Sequence, residues 1–511
     1  MSRFYLTTAI DYSNGDPHLG HALEKIGADA IARYRRIRGD DVHFLIGMDE
    51  HGKKVAQAAE ARGVTPQSLT DELADRFRAM WARLGVSYDQ FIRTTDPAHV
   101  AGVRALITRI AERDRGVFFE RSYEGWYCVG CETFKKESEI VGGKCAEHPT
   151  RTLEWTAESN WFFQLSRFAP FLKRLYAERP DFFQPESRRN EILALLDAGL
   201  EDISITRSGL AWSIPFPIAS ADGEFQGTWV WFDALPNYLT ATGFPAPGWE
   251  ARWPAQLHVI GKDITRHHCL VWPAMLEAAG LPLPERVWAH GFIHLGGERF
   301  SKSAGVKIEL ADAVDRFGPD AFRYFVLREV PFDGDGNFSW ERFEERYTSE
   351  LADAFGNLAS RVLAMLDRYR SGVVPSASEP TSLDRAGDET LERYVAAMDG
   401  LLLHRGLAAA WELVTAANGY VERQAPWALA KAGDAAALDA TLAALARALL
   451  RLSVLVAPFT PHSADVLWEA LGQGPAIPSR GAWARAERAD ASGASTHRIP
   501  PLFPKPERPA A

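Results

Sequence analysis

Phe4-Tyr5-Leu6-Thr7-Thr8-Ala9-Ile10, Ser13-Asn14-Gly15-Asp16-Pro17, His18-Leu19-Gly20-His21 and Val42-His43-Phe44-Leu45-Ile46-Gly47 decide the fold between them. The first run is short, apolar and β-rich, so it reads as a buried strand. The second is turn-rich. From there Leu19, Leu23, Ile26, Ala30 and Tyr34 recur at helical spacing, and the fourth run reads as another strand. Strand, helix, strand is the unit of a parallel sheet, so the spacing predicts an α/β fold.

Outward from this unit, residues 1–116 and 226–326 read as one sheet domain, with further sheet-like runs at 228–232, 257–260 and 287–292. Residues 117–225 are rich in aromatics and turn formers and read as an inserted domain. Residues 327–350 read as a linker. The stripes Tyr347, Leu351, Ala354, Leu358, Val362, Leu366 and Leu438, Leu442, Leu445, Leu449, Leu452, Val456 predict an α-helical bundle over 351–475. Ser371 to Gly387 reads as a loop between helices. The Gly/Pro/Ala-rich tail 476–511 is expected to lie on the surface or stay partly disordered.

At 511 residues, with 46% hydrophobic and 24% charged residues, the chain has the balance of a multidomain globular protein, which excludes extensive disorder. No run of 18 apolar residues occurs, and no signal peptide is visible, so a cytoplasmic location is expected. The net charge of −10 gives no bulk attraction for nucleic acid. Four cysteines make no disulfide scaffold. Three of them form Cys128-x2-Cys131-x13-Cys145-x2-His148, two short ligand pairs able to close a tetrahedron around one structural Zn2+. Cys269 stands apart and reads as a core thiol.

His18, Gly20 and His21 sit where a strand hands over to a helix. Helix N-termini offer N–H groups to phosphates, and ligands of parallel sheets bind at the carboxyl ends of strands. A nucleoside triphosphate is the ligand this turn fits. Arg299-Phe300-Ser301-Lys302-Ser303, lying between glycines, reads as a mobile loop able to close on phosphates.

In this order, the two motifs resemble the paired signatures of class I aminoacyl-tRNA synthetases. The chain resembles the methionyl-tRNA synthetases over nearly its whole length, through Thr7–Tyr12, His18–His21, Gly47–Gly52, Trp231–Leu235, Gly261–Ile264, Trp272–Leu276, Asn357–Arg361 and Gln424–Trp427. The resemblance implies a Rossmann-like, HUP-like catalytic sheet with an inserted zinc-knuckle connective domain. It implies ATP-dependent activation of L-methionine, with Mg2+, and transfer to tRNA(Met). His18, His21 and Lys302 would be catalytic, with Gly20, Arg299, Ser301 and Ser303 also on ATP. Ile10, Tyr12, Asp49, Trp231, Leu235, Tyr238 and His268 would bind methionine, and Asn357, Arg361 and Trp427 would read the anticodon. Asp263 falls in a region that meets nucleotide or substrate. Arg299, Phe300, His267 and Asp11 depart from the family pattern. The short insertion predicts no editing domain, and the end at 511 predicts a monomer. Another class I synthetase, or a silent tRNA-binding paralogue, stays open as an alternative.

Overall fold

The computed structural model describes residues 2–131, 133–150, 152–221, 223–295, 298–299, 309–377, 379–477 and 481–505. The chain opens with β1 (Arg3–Thr8), β2 (Asp11–Tyr12), α1 (Leu19–Ile37), β3 (Asp41–Asp49), α2 (Lys53–Ala61), α3 (Pro66–Arg83), β4 (Gln90–Arg93) and α4 (Pro97–Arg113). The five stripe residues of α1 are all buried, as their spacing predicts. β1 is shorter than the apolar run. It ends at Thr8, and Ala9 holds on only by donating its N–H to the Val259 carbonyl, 3.0 Å away.

A second, antiparallel sheet follows, of β5 (Phe118–Cys128), β6 (Thr133–Lys135), β9 (Glu154–Phe163) and β11 (Ile203–Ser204) in the order β11-β9-β5-β6. Between β6 and β9 lies the hairpin β7 (Ile140–Val141) and β8 (Lys144–Cys145). Between β9 and β11 come α5 (Ala169–Glu178), β10 (Phe183–Gln184) and α6 (Glu186–Ala198). The chain then returns through β12 (Thr206–Ser208), β13 (Gln226–Thr228), α7 (Val230–Ala234), α8 (Asn237–Thr240), β14 (Leu257–Gly261), α9 (Trp272–Ala279) and β15 (Val287–His290).

The catalytic-side sheet has seven strands in the order β10-β15-β14-β1-β3, with β2 and β4 both on β3, and every pairing is parallel. Its edge strand β10 comes from within 117–225, so that segment is not wholly separate from the main sheet. The run 228–232 is also not a strand beyond Thr228: residues 230–234 are helical. A short apolar run buried on every side has no periodicity to separate the two states. β15 stops at His290 because Gly291 lies against the Gly334 carbonyl, where a Cβ would come within 2.0 Å.

Beyond β16 (Ile293–Leu295) and β17 (Glu298–Arg299) come α10 (Leu310–Phe317), α11 (Pro319–Glu329), β18 (Gly336–Phe338) and α12 (Trp340–Arg346). The span 327–350 is therefore largely regular structure, not an open linker. A stretch of π-helix over Tyr347–Gly356 leads into α13 (Asn357–Arg370). The rest is helical: α14 (Ser382–Asp399), α15 (Leu403–Gln424), α16 (Pro426–Ala432), α17 (Ala435–Val456), α18 (Pro461–Ala470) and α19 (Ala482–Arg488). The expected loop 371–387 ends early, because Thr381 caps α14 in a reciprocal box with Asp384. The tail packs back: Trp483 and Phe503 are buried, and the Tyr347 hydroxyl donates to the Pro504 carbonyl at 2.6 Å.

Arg323 of α11 joins the two halves. Fully buried, it pairs with Asp29 of α1 at 2.7 Å and donates to the carbonyls of Leu84, Pro458 and Phe459. Among the described residues no helix is long and apolar enough to cross a membrane.

Candidate active site and metal centre

The first turn of α1 is closed by two imidazoles. His18, the extended N-cap residue, accepts the Gly20 N–H on Nδ1 at 3.1 Å, and His21 Nδ1 accepts the His18 N–H at 3.3 Å. The rings stack 3.7 Å apart. With both Nδ1 atoms accepting, the proton of each neutral ring sits on Nε2. The two Nδ1 atoms thus satisfy backbone N–H groups of the first turn, at a helix N-terminus, a place suited to an anion. A Cβ at Gly20 would stand 3.1 Å from the His18 ring, a tight contact that the ring would have to relieve by shifting.

Asp49, buried, ends β3 opposite Tyr12 of β2. Next to it, Glu50 is buried against Arg93, 2.6 Å away. The inserted segment pins this turn from outside. Trp212 Nε1 donates to the Glu50 carbonyl at 2.6 Å, and the Gly52 N–H donates to the Trp212 carbonyl. His51 meets Asp233 of α7 at 2.7 Å, and the other Asp233 oxygen meets His99 of α4 at 3.0 Å. Burial depresses the His51 imidazolium, but the Asp233 carboxylate outweighs it and raises His51. Burial pushes Asp233 up, yet the two imidazoles hold it below the usual carboxylate range. This His–Asp–His chain fixes α7, and with it Trp231, to the end of β3. The sequence reading missed it. An Asp inside the apolar run Trp229–Leu235 was the available signal, because a buried carboxylate demands partners.

Ile10, Tyr12, Trp231, Leu235 and Tyr238 pack in one cluster. Trp231 stacks on His267 at 3.8 Å with the ring planes nearly parallel, so the departure at 267 still supplies a flat face. The Tyr238 hydroxyl lies 2.7 Å from His268 Nε2, and His268 Nδ1 lies 3.0 Å from the Ile264 carbonyl. The carbonyl can only accept, so Nδ1 carries a proton, and in the neutral ring Nε2 then accepts from the Tyr238 hydroxyl. Burial lowers His268 to about 4, so the ring is neutral at pH 7. Asp263 follows β14, and its carboxylate stands where a Cβ on Gly261 would come within 2.7 Å. The structure therefore gathers the expected methionine-pocket residues at the carboxyl ends of β1, β3 and β14. Phe300, Ser301, Lys302 and Ser303 lie outside the described residues, as does the side chain of Arg299, whose backbone pairs with His294.

The ligand atoms of Cys128, Cys131, Cys145 and His148 lie within 4.8 Å of one another. Cys131 Sγ is 3.5 Å from Cys145 Sγ and 3.2 Å from His148 Nδ1, and Cys128 Sγ is 4.0 Å from His148 Nδ1. A tetrahedron with metal–sulfur bonds of about 2.3 Å has edges of about 3.7 Å, so the cluster could hold a metal ion. Gly130 makes room for it: a Cβ there would strike the His148 ring at 2.5 Å. Among the described residues the local core holds only Leu153 and Ile140 besides the cysteines.

In the helical half, Asn357 is exposed at the start of α13. Arg361, one turn on, pairs with Glu422 of α15 at 2.7 Å. Trp427 is 46% exposed, so it is not a buried core residue. Ala425, in the left-handed region at φ 43°, turns the chain from α15 into α16 and presents it.

The family description "tRNA synthetases class I (M)" matches residues 4–154 and 148–363, and "Anticodon binding domain of methionyl tRNA ligase" matches 374–494. Asn357 and Arg361 fall in the first of these, Trp427 in the second. The chain is 39% identical to the methionine–tRNA ligase of Streptomyces coelicolor, covering 99% of this chain and 98% of that one. It is 40% identical to that of Caldanaerobacter subterraneus, covering 92% and 74%. The solved structure of Mycobacterium tuberculosis methionyl-tRNA synthetase in complex with methionyl-adenylate superposes with a TM-score of 0.93 at 40% identity, covering 99% of this chain and all of that one. On this evidence the chain belongs to the methionyl-tRNA synthetase family of class I aminoacyl-tRNA synthetases.

Proposed function

We propose that this chain activates L-methionine with ATP and transfers it to the 3′-terminal adenosine of tRNA(Met). A methionine carboxylate oxygen attacks the α-phosphorus of ATP, and diphosphate leaves. The ribose hydroxyl of the terminal adenosine then attacks the adenylate carbonyl, and AMP leaves. What supports this reading is the stacked His18–His21 pair at the N-terminus of α1, together with the cluster that joins Trp231 and Tyr238 to His268.

The two Nε2–H donors serve the triphosphate, whose oxygens gain charge as the step proceeds, and preorganised donors lower such a barrier. Gly20 lets the nucleotide approach the backbone. Arg299, Ser301, Lys302 and Ser303 supply the phosphate contacts from the other side, and Mg2+ enters with ATP. Asp49 holds the substrate ammonium. Ile10, Tyr12, Trp231, Leu235, Tyr238 and His268 enclose the polarizable thioether, for which aromatic walls are well suited. Neutral His268, locked by Tyr238, gives the pocket a polar end without a charge. Cys128, Cys131, Cys145 and His148 hold one Zn2+, which supplies the knuckle with a fold that its few apolar residues cannot. Asn357, Arg361 and Trp427 read the anticodon, with Trp427 as a stacking face for an unpaired base. The enzyme works in the cytoplasm as a monomer, with catalytic residues in 1–116 and 226–326, the knuckle in 117–225 and anticodon reading in 351–475.

ATP–pyrophosphate exchange with a panel of amino acids tests the reading. Exchange dependent on methionine supports it, and exchange driven by another amino acid instead of methionine refutes it.

A further inference from the structure

Lys25 lies in the middle of α1 and has no exposed side-chain surface. Its neighbours along the helix, Leu23 and Ile26, belong to the apolar core, where a methionine or leucine would pack without the desolvation that a buried ammonium suffers. Its surroundings show what the charge does there. Nζ donates to the Ala9 carbonyl at 2.7 Å, meets Asp11 Oδ1 at 2.9 Å and meets Glu24 Oε1 at 2.7 Å. An ammonium has three N–H bonds, and the three oxygens use all of them.

Two of these oxygens belong to the segment that leaves the end of β1. Ala9 is tied to β14 through its N–H to Val259, and the chain rejoins the sheet at Asp11, where β2 pairs with β3. The Ala9 carbonyl is tied to α1 through Lys25, and Asp11 repeats the tie two residues on. Ile10, in the proposed methionine pocket, lies between the two anchors. The third oxygen extends the cluster across the sheet. The second carboxylate oxygen of Glu24 lies 3.2 Å from His290 Nε2, at the end of β15, and His290 Nδ1 lies 2.7 Å from the Gly291 carbonyl. Burial works against the Lys25 charge, but the two carboxylates outweigh it and raise Lys25, so it stays cationic. Asp11, pushed up to about 7 by burial with Lys25 opposing, is the weaker of the two anions.

We propose that Lys25 is a positioning residue for adenylate formation, its ammonium setting the methionine-side segment Ala9–Asp11 against the helix that carries His18 and His21. The inference rests on the reading of the site as a methionine-activating one. Each subsite has walls of its own: the aromatic cluster on one side and the reciprocal imidazole cap on the other. Lys25 belongs to neither and bonds the segments that carry them. Its loss therefore leaves each substrate's binding nearly intact and shifts one reactant against the other. In-line attack tolerates such a shift poorly, since misplacement by about 1 Å is enough to slow an oriented reaction about 10²-fold.

The test is methionine-dependent ATP–pyrophosphate exchange on the full-length Lys25→Met variant, with active sites counted by the burst of adenylate formed. Counting sites removes any share of misfolded protein from the rate. The expected result is a fall in kcat per site of at least about tenfold, with KM for methionine and for ATP each within about threefold of the parent. Lys25→Gln, which keeps an N–H donor for the Ala9 carbonyl without the charge, is expected to fall between the two. An unchanged kcat per site in Lys25→Met, with only the number of sites or the melting temperature reduced, overturns the proposal and leaves Lys25 a structural residue. If Lys25→Met yields no folded protein, Lys25→Gln decides on the same ratio. Absence of methionine-dependent exchange in the parent enzyme counts against the functional reading instead, so the two failures are distinguishable.

Discussion

Neutral His268 makes a quantitative pH prediction. Its ring is fully buried between the Tyr238 hydroxyl and the Ile264 carbonyl, and burial lowers it from 6.5 to about 4. In the unfolded chain the same ring titrates near about 6.5. Between these two values the unfolded state binds a proton that the folded state does not, so stability rises with pH across that window and is lost as pH falls through it. A difference of about 2.5 units corresponds to about 3 kcal/mol once pH is below 4, and to about 2 kcal/mol at pH 5. Other buried rings, His258 and His267, are depressed by burial as well, so the total acid sensitivity exceeds this share. The His268→Asn variant isolates it. An asparagine amide keeps a donor and an acceptor in roughly the same places and does not titrate. Urea unfolding of both proteins at half-unit steps from pH 7.5 to 4.5 gives ΔG of unfolding against pH. The parent curve should fall more steeply than that of the variant below about pH 6.5, the gap reaching about 2 kcal/mol at pH 5. Parallel curves would refute the buried, neutral ring and with it the tautomer assigned to the pocket.

Three further outcomes are expected. Metal analysis should find one zinc per chain, and stripping it with a chelator should expose the amides of 126–148 to rapid hydrogen exchange. A metal-free protein with those amides still protected would contradict the knuckle. Arg323→Met removes the cation that Asp29 faces in a fully buried pair, and should lower the unfolding free energy by about 3–5 kcal/mol in urea titrations. A loss below about 1 kcal/mol would show that the pair does not join the two halves. Trp427→Ala should weaken tRNA charging by about 1–3 kcal/mol while leaving pyrophosphate exchange unchanged, whereas equal loss in both assays would remove it from anticodon reading.

What could be read from the sequence divides along a physical line. Helix α1 was legible because Leu19, Leu23, Ile26, Ala30 and Tyr34 repeat on one face, and the Cys/His knuckle because its ligands are close in sequence and few chemistries use that spacing. Residues 228–232 were not, because a segment buried on all sides shows no alternation between faces. The edge strand β10 was hidden by its length of two residues inside an otherwise separate segment. The capping box at Thr381 and Asp384 was legible in principle, but the prolines and serines before it carried the reading toward loop. Asp233 is the clearest case of long-range information. Its partners His51 and His99 stand 182 and 134 residues away, and no local pattern joins them.

The buried polar residues at this end of the sheet share one task. The carboxyl end of a parallel sheet is where strands stop pairing: beyond Thr8 the ladder thins to the Ala9 N–H bond and the two-residue β2, and β3 and β14 end at Asp49 and Gly261. This end cannot be covered with apolar side chains either, because substrates must enter there. Hydrophobic packing is non-directional and would hold these turns in place without fixing their orientation. Bonds from buried side chains to backbone carbonyls do fix it: Lys25 to Ala9, Trp212 to Glu50, His268 to Ile264, and the Tyr5 hydroxyl to Tyr238. Lys25 and Trp212 reach these carbonyls from other elements, and His268 reaches back one turn to Ile264. The polar groups buried around Asp11, Asp233 and His268 lower the intrinsic stability of that end of the sheet. On the proposed reading their role is orientation: a rigid rim keeps donors at His18 and His21 in place before charge develops on a phosphate, the condition under which fixed donors lower a barrier.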